Sequence, residues 1–240
     1  MTQPTDKSLL KPIARVVSPY REKFGIPRQS LLVEEARGWL VMGPDLARRA
    51  AFEGLDGFSH IWVIFGFHAC KPAYRLRVRP PRLGGNREVG VFASRSPFRP
   101  NNLGLSVLRF EGLEGDDGDL RLRVAGLDLL DGTPVYDIKP YLSYSDCVPD
   151  ARSGYAARRP DSLLTVEFAP AAEAHLASLE QEAGHLRPLI VRTLALDPRP
   201  AYRQGREDAR VYGMRLADLD VRWRVADDRI VVEEVLRVTD

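Results

Sequence analysis

Several chemically active residue types are scarce in this chain of 240 residues, which has two cysteines, four histidines and five lysines. Two cysteines are too few for a disulfide framework. His68, Cys70 and Cys147 can be drawn as a metal site, but they lack the paired short spacings that are typical of structural zinc. Core thiols beside a structural histidine are the better interpretation, and we expect no metal.

Long apolar segments are missing as well. The longest apolar run, Ile61–Phe67, is far shorter than the roughly 20 residues that cross a bilayer. The first residues of the sequence contain no apolar core of a signal peptide. We therefore expect a cytoplasmic protein that makes no membrane contact, because few cysteines and no leader suit a reducing compartment.

Three familiar site motifs are also absent. No G-x-G-x-x-G follows a predicted strand, Leu83–Asn86 lacks the lysine of a phosphate-binding P-loop, and Gly104–Ser106 does not continue as a nucleophile elbow. A phosphate-recognising hydrolase is a poor hypothesis, because neither a metal cluster nor a nucleophile–base pair is visible.

Short β-type runs broken by glycine and proline fill the first part of the chain. The predicted strands are Ile13–Val17, Ile61–Phe67, Tyr74–Val78, Val89–Ala93, Leu105–Phe110, Leu120–Val124 and Val135–Ile138, with one short helix at Asp45–Phe52. Ile61–Phe67 is apolar on both faces and predicts a buried strand. Many short strands favour a barrel or sandwich over a doubly wound sheet.

The character of the sequence changes after a loop at residues 147–160. Two helices are predicted at Ala171–Glu182 and Leu186–Leu196, followed by strands at Val211–Leu216, Val221–Val225 and Ile230–Leu236. We predict a mainly β protein with an α+β appendage. A small β-barrel domain is expected at residues 1–148 and a small α+β domain at residues 160–240.

The segment Val91–Ser106 holds two arginines four residues apart, Arg95 and Arg99, with prolines between and beside them. Proline fixes the backbone and resists a helix or a central strand, so we predict a rigid loop that presents two guanidinium groups. Guanidinium groups suit the planar recognition of phosphate, carboxylate or a base edge.

Positive charge is concentrated around this loop. From Arg75 to Arg109 there are eight arginines and one acidic residue, Glu88, although the net charge of the whole chain is only +2. A preference for arginine throughout the chain explains the residue type but not the clustering. The pattern favours a surface that faces an anionic, nucleotide-like ligand.

Two further segments carry ionisable groups. Asp128, Asp131, Asp137, Lys139 and Tyr141 lie near the ends of predicted strands. A solvated hairpin explains Asp131 and the glycine after it, but explains the later three poorly. The loop at residues 197–203, with sequence DPRPAYR, is either an irregular connection or an arginine–aromatic surface for single-stranded RNA.

Long motifs in the sequence resemble those of the TsaA-like, or TrmO-type, tRNA methyltransferases over nearly the whole chain. The motifs are Ser18–Gln29, Glu53–His68, Arg79–Gly85, Val89–Ser106, Leu127–Tyr141, Pro149–Tyr155, Asp197–Arg203 and Asp220–Val225. One departure is Asn102, where the resemblance leads us to expect proline, and where we expect a looser but still polar loop.

The resemblance implies a small non-Rossmann β-barrel that binds S-adenosyl-L-methionine (SAM), a small C-terminal domain and a homodimer. It implies methylation of N6 of N6-threonylcarbamoyladenosine at position 37, in the anticodon loop of tRNA. The expected SAM contacts are Arg21, Glu22, Lys23, His60, Ile61, Arg95, Leu105, Leu127, Asp128, Leu129 and Leu130. Of these, Asp128 suits a ribose hydroxyl or the methionine amino group, and Arg95 suits the methionine carboxylate.

The resemblance also leads us to expect catalytic roles for Asp137, Lys139 and Tyr141, which would handle the N6 proton or the threonyl carboxylate. The expected substrate contacts are Arg99, Asn101, Asp197, Arg199, Tyr202 and Arg203, the last four on a loop that reaches a neighbouring subunit's site. The alternative is a non-catalytic SAM or nucleotide sensor that binds RNA or a protein, although a sensor needs no acceptor site.

Overall fold

In the computed structural model, which describes residues 10–70, 73–159, 164–183, 186–205, 208–227 and 229–238, two β-sheet units follow each other along the chain. The strands are β1 (Ala14–Val17), β2 (Arg37–Met42), β3 (His60–Gly66), β4 (Arg77–Val78), β5 (Val89–Gly90), β6 (Leu103–Glu114), β7 (Arg121–Ala125), β8 (Pro134–Pro140), β9 (Thr165–Phe168), β10 (Asp208–Leu216), β11 (Leu219–Ala226) and β12 (Arg229–Arg237). The α-helices are α1 (Ser143–Asp146), α2 (Pro170–Ala183) and α3 (Leu186–Ala195).

Six of these strands close into an antiparallel barrel in the order β1-β2-β7-β6-β3-β8. Closure leaves no strand edge unpaired, and alternate residues of each strand point into the core or outward. The mainly β fold with a small barrel, predicted from the sequence, is confirmed.

Strand β3 is buried on one face only, so the prediction of burial on both faces is wrong. Ile61, Val63 and Phe65 point into the barrel and are at most 4% exposed, whereas the residues between them are half-exposed. On the outer face, the Trp62 indole donates a 2.8 Å hydrogen bond to Asp146 on the short helix α1, so this helix covers part of that face. Because apolar residues also lie on the outer face of β3, its sequence looks like that of a strand buried on both faces.

Three other predicted elements are shorter than expected. Only Arg49–Phe52 of the predicted helix at Asp45–Phe52 is helical, as one 3₁₀ turn. Strands β4 and β5 pair over two residues each, in place of the five-residue strands predicted at Tyr74–Val78 and Val89–Ala93. Strand β4 ends at the prolines where the 3₁₀ turn Pro81–Leu83 begins. Strand β5 ends where a second 3₁₀ turn, Val91–Ala93, begins.

The C-terminal unit is a four-stranded sheet in the order β10-β11-β12-β9. Strand β9 runs parallel to β12, and α2 and α3 connect it to β10. The apolar side of α3, with Leu189, Ile190 and Leu194, is buried in the hydrophobic core. No helix in the described ranges is both long enough and apolar enough to span a membrane.

The segment after β1 joins the barrel to the C-terminal sheet. Tyr20 is 1% exposed, and Glu22 accepts a 2.9 Å hydrogen bond from the backbone N–H of Arg215. The Phe24 ring stacks against Trp223 with centroids 6.5 Å apart. Both units therefore share one hydrophobic core, and the motif that begins at Ser18 forms the seam between them.

Gly25 provides a test of this seam. Its φ of +89° disfavours any side chain, and a Cβ would lie 2.8 Å from the sulfur of the buried Met214. Gly54 has φ +83° with no atom within 4 Å of the position that a Cβ would take, so it isolates the backbone penalty alone. We expect Gly54→Ala to cost about 1 kcal/mol and Gly25→Ala a further 1–3 kcal/mol or so of unfolding free energy, measured by urea denaturation. Equal losses would mean that the seam is loosely packed.

Candidate active site

Three loops meet at the end of the barrel where β7 ends and β6 begins. The Leu31 N–H donates a 2.9 Å hydrogen bond to the Gly126 carbonyl, and the Arg95 guanidinium donates to the side chain of Gln29. The loop after β7 also carries Asp128. We call this region the loop end. It brings together two of the predicted SAM contacts, Arg95 and Asp128.

Asp128 has one carboxylate oxygen with a partner and one without. The Ser106 hydroxyl donates a 3.1 Å hydrogen bond to Oδ2, whereas Oδ1 is shielded from solvent and has no partner in the described part of the chain. Burial raises the pKa of Asp128 to about 6. The Ser106 hydrogen bond, the backbone N–H of Asp128 itself, the charge of Arg95 and the backbone N–H of Ser30 oppose this rise. An unpaired carboxylate oxygen is an acceptor for a hydroxyl or an ammonium group of a ligand.

The predicted rigid loop before β6 is braced from inside. Arg99 donates hydrogen bonds to the carbonyls of Ser94, at 2.7 Å, and Val91, at 3.2 Å. The Ser94 hydroxyl donates to the same Val91 carbonyl at 2.8 Å. Arg99 therefore fixes the loop, and it also lines a cavity of about 340 Å³ together with Asn101.

Asn102 stiffens this loop, so the expectation of a looser loop is wrong. Its φ is +53°, and its side-chain amide donates a 2.8 Å hydrogen bond to the Phe67 carbonyl. The Phe67 N–H returns a 3.0 Å bond to the Asn102 carbonyl. Asparagine tolerates a positive φ, whereas proline is fixed at a φ of about −65°, so proline does not fit this backbone.

The predicted catalytic residues lie on the outer face of the barrel. Asp137 and Lys139 are two residues apart on β8, so their side chains lie on the same face. The Lys139 ammonium is 3.5 Å from the Asp137 carboxylate. The Tyr141 ring lies 5.9 Å from Trp62 and 6.3 Å from His60, measured between centroids. We call this set of residues the outer wall.

The pairing of β3 with β6 and β8 shows which predicted SAM contacts lie on the outer face of the barrel and which point into it. Leu105 and Asp137 are both paired with Ile64, so Leu105 lies on the outer wall beside the predicted catalytic group. His60 lies there too, whereas its neighbour Ile61 is fully buried and offers only its backbone. Ser106, one residue after Leu105, points inward to Asp128. Within one chain, the barrel strands therefore separate the outer wall from Asp128 at the loop end.

The side chains of most remaining predicted SAM contacts interact with other parts of the chain or are buried. Arg21 forms an ion pair with Asp131, and the Lys23 ammonium donates to the Ala69 carbonyl. Glu22 holds the seam between the two units. Leu127 and Leu129 are core residues with at most 2% exposure, and Leu130 is half-buried.

The loop at residues 197–203 has a buried half and an exposed half. Arg199 is 2% exposed and forms a two-pronged ion pair with Asp197, with both N–O distances at 2.8 Å. Neither side chain presents its charge to solvent, and the ion pair holds the loop. Their expected role as substrate contacts stays a prediction. Tyr202 is 66% exposed, and Arg203 stacks on its ring at 5.6 Å.

The charge of Asp197 on this loop acts on Arg28. Burial and the neighbouring Arg82 lower the pKa of Arg28, and the negative charge of Asp197 opposes them. The reach of Tyr202 into a neighbouring subunit's site stays a prediction.

Sequence reasoning missed Ser106 and Gln29. Ser106 carries a detectable signal, because it is a polar residue at an inward position of an apolar strand. Gln29 ends the motif that begins at Ser18, but no spacing marks it. Among the residues that the structure describes, no group of three His, Cys, Asp or Glu side chains is arranged to hold a metal ion.

A closed barrel with a carboxylate and a guanidinium at one end, joined to an α+β unit, defines a class of ligand-binding protein distinct from doubly wound enzymes. The sequence profile of the tRNA-methyltransferase O N-terminal domain matches residues 15–147, and that of the TrmO C-terminal domain matches residues 161–238. The chain belongs to the TrmO family.

Individual relatives agree with this assignment. The Escherichia coli K12 protein named tRNA (adenine(37)-N6)-methyltransferase is 44% identical over 216 residues, which cover 90% of this chain and 92% of that protein. A Pseudomonas aeruginosa protein named putative S-adenosylmethionine-dependent methyltransferase RcsF is 49% identical over 219 residues, 89% of this chain and 91% of that protein. The crystal structure of TrmO from Pseudomonas aeruginosa has a TM-score of 0.81 at 41% identity, covering 96% of this chain and 99% of that chain.

The raised pKa of Asp128 predicts opposite effects on stability and binding. Because the folded pKa of about 6 exceeds the ordinary 3.8, the stability contributed by protonation is complete below pH 3.8 and is lost as the pH rises through 6. We expect Asp128→Asn to raise the unfolding free energy by about 1–2 kcal/mol at pH 8, but not at pH 4, in urea titrations.

The same substitution should weaken SAM binding at pH 8, measured by calorimetry. In the unsubstituted chain, SAM affinity should fall as the pH drops below about 6 and the carboxylate is protonated. Ser106→Ala is the control, because it removes one hydrogen bond and keeps the charge. An Asp128→Asn protein with unchanged SAM affinity at both pH values contradicts this role.

Proposed function

We propose that the protein is a SAM-dependent methyltransferase that methylates N6 of N6-threonylcarbamoyladenosine at position 37 of tRNA. Membership of the TrmO family across both profiles supports the methyltransferase activity and the use of SAM. The observation that carries the proposal is the unpaired Asp128 oxygen beside Arg95 at the loop end. The threonylcarbamoyl group is the finer part of the proposal and has its own test.

The loop end has the donor and acceptor groups that SAM requires. SAM carries an ammonium group and ribose hydroxyls, which donate, and a carboxylate, which accepts. Asp128 Oδ1 fits one of the donors, and Arg95 fits the carboxylate. SAM supplies an activated methyl group with its own leaving group, so the protein mainly has to bind and orient the reactants.

The outer wall has the groups that the acceptor requires. The N6 nitrogen of the modified adenosine carries an acyl group, which makes its N–H more acidic than in plain adenosine. Lys139 suits the threonyl carboxylate, Tyr141 suits stacking on the base, and Asp137 orients Lys139 at 3.5 Å. Neither Lys139 nor Tyr141 faces the loop end of its own chain.

A homodimer resolves this separation. If the outer wall of one copy faces the loop end of another, methyl donor and acceptor nitrogen come within reach. Exposed Leu105, on the outer wall, is an apolar contact for such a partner. The α+β unit at residues 160–240 would then aid tRNA binding through Tyr202, or complete the dimer active site. A cytoplasmic location follows from a tRNA substrate.

The proposal is tested by methyl transfer from labelled SAM to two tRNA pools. One pool is normal, and the other comes from cells that cannot add the threonylcarbamoyl group. We expect label only in the normal pool, located on the modified adenosine by nucleoside mass spectrometry. Transfer to both pools would remove the acyl group from the recognised substrate. SAM binding without transfer to either pool would favour the sensor hypothesis.

The role of Lys139 is tested with the normal pool. We expect Lys139→Ala to lower kcat/KM by roughly a hundredfold, because the substitution removes the ammonium group that holds the threonyl carboxylate of the acceptor. Lys139→Arg keeps the positive charge and should restore part of the rate. Arg121→Ala is the control, since Arg121 is an outward arginine on β7 that pairs with Glu114. If Lys139→Ala keeps the kcat/KM of the unsubstituted chain, Lys139 does not handle the acceptor.

A further inference from the structure

Many exposed arginines in the described part of the chain form ion pairs with acidic neighbours. On the barrel, Arg37 and Arg123 pair with Glu111, and Arg121 pairs with Glu114. The C-terminal sheet follows the same pattern, with ion pairs Arg222–Glu234, Arg224–Glu233, Arg229–Glu167 and Arg237–Asp218. Such pairs leave little net charge at the surface.

One surface gathers arginines in large excess over acidic residues. Residues 74–94 and 148–159 together contain eight arginines and only two acidic residues, Glu88 and Asp150. The Tyr155 hydroxyl donates a 3.1 Å hydrogen bond to the Ala93 carbonyl, and Arg82 donates a 2.6 Å bond to the Arg158 carbonyl. These bonds join the two segments into one surface, which we call the arginine face.

The arginines of this face keep their positive charge. Arg87, Arg152, Arg158 and Arg159 have no acidic partner within the described ranges of the chain, and all are exposed. Glu88 is shared between two arginines of the strand β4 region, at 3.3 Å from each. Uncompensated like charges repel each other, so folding gains nothing from gathering them here.

Exposed aromatic rings lie among these charges. Tyr74 is 62% exposed and Phe92 is 75% exposed. Arg75 covers the Phe98 ring at 4.7 Å, and Tyr155 remains partly accessible. Guanidinium groups mixed with exposed rings suit a sugar–phosphate backbone with unstacked bases, whereas an apolar protein partner does not require such a charge excess.

We infer that the arginine face binds phosphates of the tRNA backbone, so that it positions the tRNA while other residues perform the reaction. This inference rests on the proposed function. The face takes its phosphate contacts from Arg87, Arg152, Arg158 and Arg159, none of which belongs to the loop end or the outer wall. Binding there is independent of base identity, because phosphate contacts position RNA without selecting its sequence.

The test uses the full chain with Arg152, Arg158 and Arg159 all changed to glutamine. The matched control changes Arg37, Arg121 and Arg123 to glutamine, which removes the same charge from arginines that are already paired. Binding of purified tRNA is measured by filter binding at several salt concentrations. Methyl transfer and SAM calorimetry are measured on the same proteins.

We expect the Arg152/Arg158/Arg159 protein to bind tRNA on the order of tenfold or more weakly at physiological salt, with a salt dependence flatter by roughly two to three units. KM for tRNA should rise, whereas kcat and SAM affinity stay near those of the unsubstituted chain. The control protein should stay within about twofold in KM, because its three arginines lie on barrel strands outside the arginine face.

Three outcomes overturn the inference. Equal tRNA affinity in both triple variants shows that only total charge matters. A changed kcat with an unchanged KM places these arginines in the chemistry. A switch to monomer in sedimentation of the Arg152/Arg158/Arg159 protein alone shows that the face joins two copies. If the unsubstituted chain binds tRNA but transfers no methyl group, the proposed function fails while the binding comparison still decides the inference.

Discussion

Closure of the six-stranded barrel is the constraint on which the rest of this structure depends. In a closed barrel, side chains along a strand alternate between core and outer face apart from local bulges, so a functional side chain on a strand belongs to one side of the wall. Ser106 points inward to Asp128 while Leu105, next to it, points outward with Asp137 and Lys139. The division between loop end and outer wall follows directly from this alternation, and it is the physical reason for proposing two copies of the chain.

The loop end combines rigidity with one unsatisfied group. Hydrogen bonds from Arg99, Asn102 and Leu31 fix the loops around Asp128, yet Asp128 Oδ1 is left without a partner among the described residues. A shielded acceptor costs stability in the free protein unless a ligand satisfies it. The site is thus arranged for a ligand that brings a donor, in keeping with a cofactor that carries an ammonium group and hydroxyls.

Much of this could be predicted from the sequence, and the failures have physical causes. Alternating apolar residues and glycine–proline punctuation predicted most barrel strands, but β2 was missed because Gly38 interrupts its apolar pattern. That glycine is required, since a Cβ would lie 2.1 Å from the Val17 carbonyl oxygen. The sequence motifs assigned Arg95 and Asp128 to one SAM site, and this assignment stays a prediction. The motifs could not show that Arg199 forms an ion pair with Asp197, because an ion pair within a loop and a charge that faces a ligand look the same in sequence.

A crystal structure with bound S-adenosylhomocysteine tests the central claim most directly. We predict that a donor of the ligand lies within hydrogen-bond distance of Asp128 Oδ1 and that the ligand carboxylate lies beside Arg95. A ligand seated elsewhere, with Asp128 Oδ1 still unpaired, would contradict the assignment of the loop end as the cofactor site.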